Sequence, residues 1–302
     1  MATRSRLARR AGQLPRVGPP TSQPTPAGTS RRKVRRIGLY VLLIAVAALF
    51  IGPFLILLSS ATKPASQDVF GFPPDLIPRP PVADWFREAW TTIPYARFLV
   101  NSVIYVGITV PIYLVVSALT AYPLARIAFR GRGVFFMLFL SIMFLPGELM
   151  LIPRFLVMSQ LGLTDTFASV ILPAILSSLG IFLLRQAFSQ IPDEIVEAAR
   201  MDGANEFAIF WRIAVPIVAP TLAVLAILGF VSVWNSFIWP LVTLTSQSKF
   251  PIALGIAYLS GVSGTDVRGL AAGTVISLVP VVMVFLFLQK RILNSMGGAV
   301  KG

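Results

Sequence analysis

The stretch EIVEAARMDGANEFAIFWRIAVPIVAP, Glu194 to Pro220, concentrates acid and alanine between segments that are almost wholly apolar. Its local signals are those of short helices. Pro192 suits a first helical position, and Asp193 and Glu194 follow in the first turn, where the helix dipole favours anions. Gly203 suits the C-terminal cap, which leaves a helix of about ten residues, too short to cross a bilayer core of about 30 Å. Asn205 is placed to N-cap a second short helix, EFAIFWRIAV, expected to end before Pro216. On the first helix Ile195, Ala198 and Ala199 recur at i, i+3 and i+4, giving a narrow apolar stripe edged by Glu197, Arg200 and Asp202. Small side chains on that stripe let a second surface approach, and the flanking charges can set register. A helix lying on lipid is the alternative. Four carboxylates against Arg200 alone oppose it, because the inner leaflet is anionic. The stretch therefore reads as a docking element for a protein.

Its surroundings decide the fold class. The chain has 302 residues, 56% apolar and 13% charged, with a mean hydropathy of +0.79. The apolar residues come in six runs, near Ile37–Ser59, Phe98–Ala125, Val134–Ile152, Phe167–Phe188, Ile217–Leu241 and Leu270–Leu288. Each is close to the roughly 20 residues that cross a membrane at about 1.5 Å per residue. The expected fold is an all-α integral membrane protein with six transmembrane helices. Several runs contain proline (Pro53, Pro111, Pro146, Pro173, Pro220, Pro280), which neighbouring helices in a bundle can accommodate. The first run is longer than the core of a signal peptide, about 7–15 residues, and reads as an uncleaved span.

Charge placement orients the runs. Of the 26 basic residues, ten precede position 37. With the N-terminus inside, 19 fall on the inner side and 7 on the outer, so both termini are expected in the cytoplasm. Residues 1–36, rich in Arg, Pro, Ser and Thr, read as a disordered basic cytoplasmic tail, and 37–302 as the transmembrane domain. The net charge of +14 has no accompanying nucleic-acid-binding pattern, so no nucleic acid partner is expected. Two outer segments, residues 60–97 and 242–269, exceed what a hairpin needs.

Cysteine and histidine are absent, which removes thiolate nucleophiles, imidazole bases and the usual metal ligands. No catalytic or metal constellation remains. Glu148, in MFLPGELMLIP, is the only carboxylate close to a membrane interior. It reads either as a solute contact or as an interfacial residue capping the Pro146-Gly147 break. An ion-coupled carrier would place ionisable groups at the midplane, and none is there. No G-x-x-x-x-G-K-[ST] phosphate loop occurs either. Transport by such a chain has to be driven from outside it.

The EAARMDGANEFAIFWRIAVPIVAP segment resembles the EAA loop of ABC importer permeases. The likeness extends to FLVNSVIYVGITVPIYLVVSALTAYPLARIAF (Phe98–Phe129), MFLPGELMLIP (Met143–Pro153), LGLTDTFASVILP (Leu161–Pro173), FVSVWNSFIWPL (Phe230–Leu241) and the terminal GGAVKG. Over residues 37–302 the chain is similar to the carbohydrate-uptake, MalG-like, binding-protein-dependent branch, whereas residues 1–36 have no counterpart. The resemblance implies a type I ABC importer fold in the bacterial plasma membrane. It implies a second permease subunit, two ATPase subunits that hold the ATP and Mg, and an extracytoplasmic solute-binding protein. Glu197, Ala198, Ala199, Asp202 and Gly203 would form the coupling loop. Residues 242–269 would reach the binding protein, and Met296–Gly302 would extend toward the ATPase pair. The solute would be a sugar or sugar-like molecule, such as a trehalose- or maltose-type disaccharide, an amino sugar or a glycerol phosphate derivative.

For the solute path, Asn101, Ser102, Trp234, Asn235 and Trp239 join Glu148 as candidates, because aromatic faces and amide donors suit sugar rings and hydroxyls. The same residue types also pack and bridge helices. A secondary carrier, a membrane-embedded transferase and a scaffold are the competing readings.

Overall fold

The computed structural model describes residues 27–73, 75–262 and 266–298, and among these every regular element is helical. Contacts divide the chain between Phe54 and Leu55. The first helix, α1 (Ala27–Thr62), is apolar on all faces from Ile37 onward, the pattern of a helix surrounded by lipid. It begins ten residues before Ile37 rather than at the expected tail boundary, because from Thr29 to Arg36 no proline interrupts and Arg and Lys are good helix formers. The expected disorder of residues 1–26 lies outside the described residues.

The remainder is organised around one helix. It comprises α2 (Asp84–Thr92), α3 (Tyr95–Arg126), α4 (Arg132–Met143), α5 (Leu151–Gln160), α6 (Phe167–Ile175), α7 (Ser178–Ser189), α8 (Asp193–Met201), α9 (Glu206–Ile209), α10 (Val215–Ile217), α11 (Ala219–Trp234), α12 (Ile238–Thr243), α13 (Ile252–Val262) and α14 (Val267–Gly298). Helix α3 touches α6, α7, α11 and α13. Its Tyr113 ring lies between two helices that come close only because each presents a glycine. A Cβ on Gly180 of α7 would sit 2.7 Å from the Tyr113 ring, and one on Gly229 of α11 would sit 3.1 Å from it. Without a water-driven hydrophobic force between helices, such small-residue seams supply much of the association in lipid.

Four helical segments are long and apolar enough to cross a membrane, and six are reached if each of two bent pairs is one span. The pairs are where the expected spans are corrected. The run expected at Val134–Ile152 is not one helix: Arg132–Met143 and Gly147–Gln160 meet at 104°. Pro146 has extended backbone (φ −57°, ψ 131°) and no N–H to continue the ladder. The run expected at Ile217–Leu241 is also broken. Glu206–Ile217 and Ala219–Trp234 meet at 74°, at the turn before Pro220, and α11 stops at Trp234 ahead of α12. The second short helix was expected to stop before Pro216. It instead passes through that residue, by way of a wide turn over Phe210–Ala214 in which Val215 N–H reaches back to Phe210.

At the end of the bundle away from α8, one aspartate fastens two connections together. Asp165, in a left-handed conformation (φ 54°), accepts from the backbone N–H groups of Thr245 and Ser246 and from the Ser246 hydroxyl. It also pairs with Lys249 Nζ at 2.9 Å. The Ser246 hydroxyl, the Lys249 ammonium and the two N–H groups hold its carboxyl well below the usual carboxylate range. A depressed folded pKa gives stability that is present above the unfolded value of about 3.9 and is lost as pH falls below it. Asp165→Asn is therefore expected to lower the thermal midpoint at pH 7, and the gap to the wild type should narrow on acidification below about pH 4. A gap that stays constant with pH would remove the charge from the account.

Candidate functional site

Helices α8 and α9 are the short helix pair expected from the sequence. Pro192 stands at the cap position one residue before α8 rather than inside it. At the other end Gly203 N–H donates to Arg200 O and Ala204 N–H to Ala199 O, with Gly203 at φ +82°. This pair of bonds is a Schellman turn, and it requires the left-handed conformation that glycine adopts freely. Asn205 caps α9 as expected, its side chain accepting from Ala208 N–H at 2.8 Å.

The faces of α8 differ in one respect from the sequence reading. Ala199 is turned inward with Val196, and both are buried in the core of this chain together with Ile209, Phe210 and Phe188. The outward stripe is Ile195, Ala198 and Met201, with Glu197, Asp202 and Gly203 also exposed. Phe207 and Trp211, packed edge to face at 6.3 Å, extend this apolar patch onto the second element. The stripe shifted because Val196, unnoticed among the alanines, is the larger apolar group and takes the inward position. Met201 is 89% exposed, an unusual position for a long apolar side chain outside the lipid.

The element is wired to α3 by several side chains, of which Arg126 was counted from sequence only as inner-side charge. Arg126, at the end of α3, donates from Nε to Phe188 O at 2.8 Å, from Nη2 to Ile191 O, and pairs through Nη1 with Asp193. Tyr122, one turn earlier, donates to Glu206 at 3.0 Å, and Glu206 also holds Arg200 of α8 at 2.8 Å. Around the Tyr122 ring, Phe188 and Phe210 stand edge-on at 5.5 and 5.1 Å. These contacts tie α8 and α9 to the hub helix. An Arg closing an apolar helix beside a short connection was the available signal, since a guanidinium there reaches several carbonyls at once. Arg126→Lys is expected to lose the forked geometry and cost about 1–3 kcal/mol of local stability. Limited proteolysis would read this as faster cleavage between Ser189 and Asp193, and unchanged cleavage would contradict it.

The six candidate solute-path residues separate into two groups. Asn101 and Ser102 are buried and hydrogen-bonded: the Asn101 amide donates to Ser248 O and Phe250 O, and the Ser102 hydroxyl accepts from Ile252 N–H. They pin the segment 248–252 to α3, as does Tyr105 through Lys249 O. Trp234 is 3% exposed and stacks on Phe230 inside the core. The contacts of Asn101, Ser102 and Tyr105 pack residues 248–252 against α3. Glu148, Asn235 and Trp239, by contrast, line one cleft of about 580 Å³. Glu148 lies in the first turn of the short helix Gly147–Met150, whose cap position is held by Pro146. Trp239 donates through its indole N–H to Ser169 O at 2.9 Å and carries the Arg154 guanidinium over its ring at 5.1 Å. A second lobe of about 330 Å³ shares Arg154, Ser232, Ser236 and Trp239 with the first. Arg154 was missed, having been counted as an outer-side charge. Its setting in LIPRFLVM, a cation amid apolar residues, was the signal.

A helical membrane bundle with two sharply broken spans, a capped amphipathic helix pair at one end and a polar cleft between its helices is the architecture of a transport permease. The model of the family described as "Binding-protein-dependent transport system inner membrane component" matches residues 94–297, and the chain belongs to that family. It is 34% identical over 273 residues to the arabinooligosaccharides transport system permease protein AraQ of Bacillus subtilis, covering 89% of this chain and 97% of that one. It is 32% identical over 260 residues to the sn-glycerol-3-phosphate transport system permease protein UgpE of Yersinia pestis, covering 83% and 92%. A crystal structure of a bacterial ABC transporter involved in the import of the acidic polysaccharide alginate contains a similar chain, at TM-score 0.74 and 25% identity. That match covers 89% of this chain and 99% of the other, and the all-α type I ABC importer permease fold is as expected.

Proposed function

We propose that this chain is one of two permease subunits of a binding-protein-dependent ABC importer for a sugar or sugar-like solute. In this reading it lies in a bacterial plasma membrane with both termini in the cytoplasm, and transport is driven by ATP hydrolysis on separate ATPase subunits. The observation that carries the reading is the exposed apolar patch Ile195–Ala198–Met201–Phe207 on a charged helix pair tied to α3 through Arg126, Tyr122 and Glu206. Such a patch is suited to a protein groove, and its rigid links convert movement of the partner into movement of the hub. ATP binding would draw two ATPase subunits together and carry α8 and α9 with them. The helices would then switch between inward- and outward-facing arrangements, a rigid-body change biased by a ligand on another subunit.

Glu197, Ala198, Asp202 and Gly203 stand on the exposed side of this element, where a partner can meet them, while Ala199 supports it from within. The cleft lined by Glu148, Asn235 and Trp239 belongs to the solute path, completed by the second permease subunit. Asn101, Ser102 and Trp234 shape that path indirectly by fixing the helices behind it. A sugar-like solute is supported by the named substrates of the relatives and by the hydroxyl- and indole-bearing cleft. Energising separates this reading from an ion-coupled carrier. Uptake should persist when a protonophore collapses the ion gradient while ATP is maintained, and should stop when ATP is depleted. The opposite pattern would overturn the proposal.

A further inference from the structure

Arg154 is half-buried and, apart from its stack on Trp239, makes no hydrogen bond or ion pair with the described residues. Removing a guanidinium from water without an anionic partner is costly, so an unpaired one at a cleft marks a place where a ligand completes the pairing. In the 330 Å³ lobe Arg154 is the one charged residue among the described lining, because Glu148 borders only the neighbouring lobe. A second polar group on the same lobe is also unsatisfied. Thr109 is 1% exposed, its Oγ1 has no hydrogen-bond partner among the described residues, and it lines the cavity. Ser232, on α11, and Ser236, in the connection between α11 and α12, add hydroxyls to the lining. The lobe has the size of a small-ligand pocket, about 300–1,000 Å³.

We propose that Arg154, with Thr109, Ser232 and Ser236, reads a solute that bears an oxyanion, a carboxylate or a phosphate, beside several hydroxyls. Trp239 holds the Arg154 guanidinium plane in place, and the guanidinium N–H fork donates to the two oxygens of the anion side by side. The hydroxyls take the remainder of the solute, and a neutral solute leaves the charge unpaired. This assignment rests on the permease reading above and adds the charge class of the cargo.

The test uses the complete importer, purified with its ATPase subunits, titrated calorimetrically with sn-glycerol 3-phosphate, D-glucuronate and D-glucose. The anionic probes should bind at least about tenfold more tightly than glucose. Arg154→Gln should erase that preference, and Arg154→Lys should retain part of it. Thr109→Val should weaken all three probes together. Equal binding of glucose, or a preference that survives Arg154→Gln, overturns the proposal and leaves Arg154 as packing against Trp239. Repeating the titration with phosphatidylglycerol present separates the two sources of an oxyanion. If the lipid occupies the wild-type site, blocks the probes and is released by Arg154→Gln, the position belongs to a headgroup and the solute assignment is wrong. Co-purification of the ATPase subunits is scored separately. Its failure for the wild-type chain counts against the permease reading itself, whatever the probes do.

Discussion

Gly203→Pro is expected to abolish uptake while the protein remains in the membrane at its normal amount. Gly203 sits at φ +82° and closes the Schellman turn between α8 and α9. Proline fixes φ near −65° and has no N–H, so it removes the bond to Arg200 O and forbids the left-handed turn together. The two elements of the apolar patch can then no longer keep their relative geometry. The transmembrane helices are untouched, because nothing lies within 4 Å of the position where a Gly203 side chain would begin. Gly203→Ala keeps the N–H and pays only the left-handed strain of about 1–2 kcal/mol, so it should retain much of the uptake. Parallel measurement of solute accumulation and membrane abundance checks both variants. Full uptake by Gly203→Pro would show that the patch geometry is irrelevant to transport.

Gly180→Val is expected to be strongly damaging within the bundle. A Cβ at this position falls 2.7 Å from the Tyr113 ring and hydroxyl and 2.9 Å from Ser117 Oγ. The ring cannot withdraw, because Gly229 of α11 closes on its other edge. The seam between α3 and α7 has to open, at a cost of about 1–3 kcal/mol or more for overpacking, with loss of close backbone contact along it. The expected result is a sharp fall in monodisperse, detergent-solubilised protein and a lowered thermal midpoint. Gly107, on α3 with open space around its Cβ position, provides the control: Gly107→Ala should behave as the wild type. Comparable behaviour of Gly180→Val and Gly107→Ala would contradict the packing described for Tyr113.

The membrane class and the capped helix pair were legible because they rest on local signals. Long apolar runs, Asn205 as a cap and Gly203 as a stop each act within a few residues of themselves. The bends were half legible. Pro146 and Pro220 marked where hydrogen bonding would fail, but the 104° and 74° angles are set by what the halves pack against. The inward turn of Ala199 followed from Val196 competing for the core, a contest decided by Ile209 and Phe210 on another element. The division of the solute-path candidates was not readable at all. Asn101 and Ser102 look like cleft residues by type, yet their partners lie about 150 positions away in the chain. Arg154 and Arg126 were visible as charges, but their roles depend on Trp239 and on the carbonyls of Phe188 and Ile191.

Because the chain contains no cysteine, single-cysteine variants carry a label at one known position. A benzophenone maleimide attached at Ala198→Cys, and separately at Met201→Cys, in the assembled transporter tests most directly whether α8 is where the ATPase subunit grips. Illumination should join the chain to the ATPase subunit from both positions, more strongly after ATP is added. A label at Gly107→Cys, on α3, should give no such product. Absence of an ATPase adduct from Ala198 and Met201, with the subunits still co-purifying, would contradict the central claim.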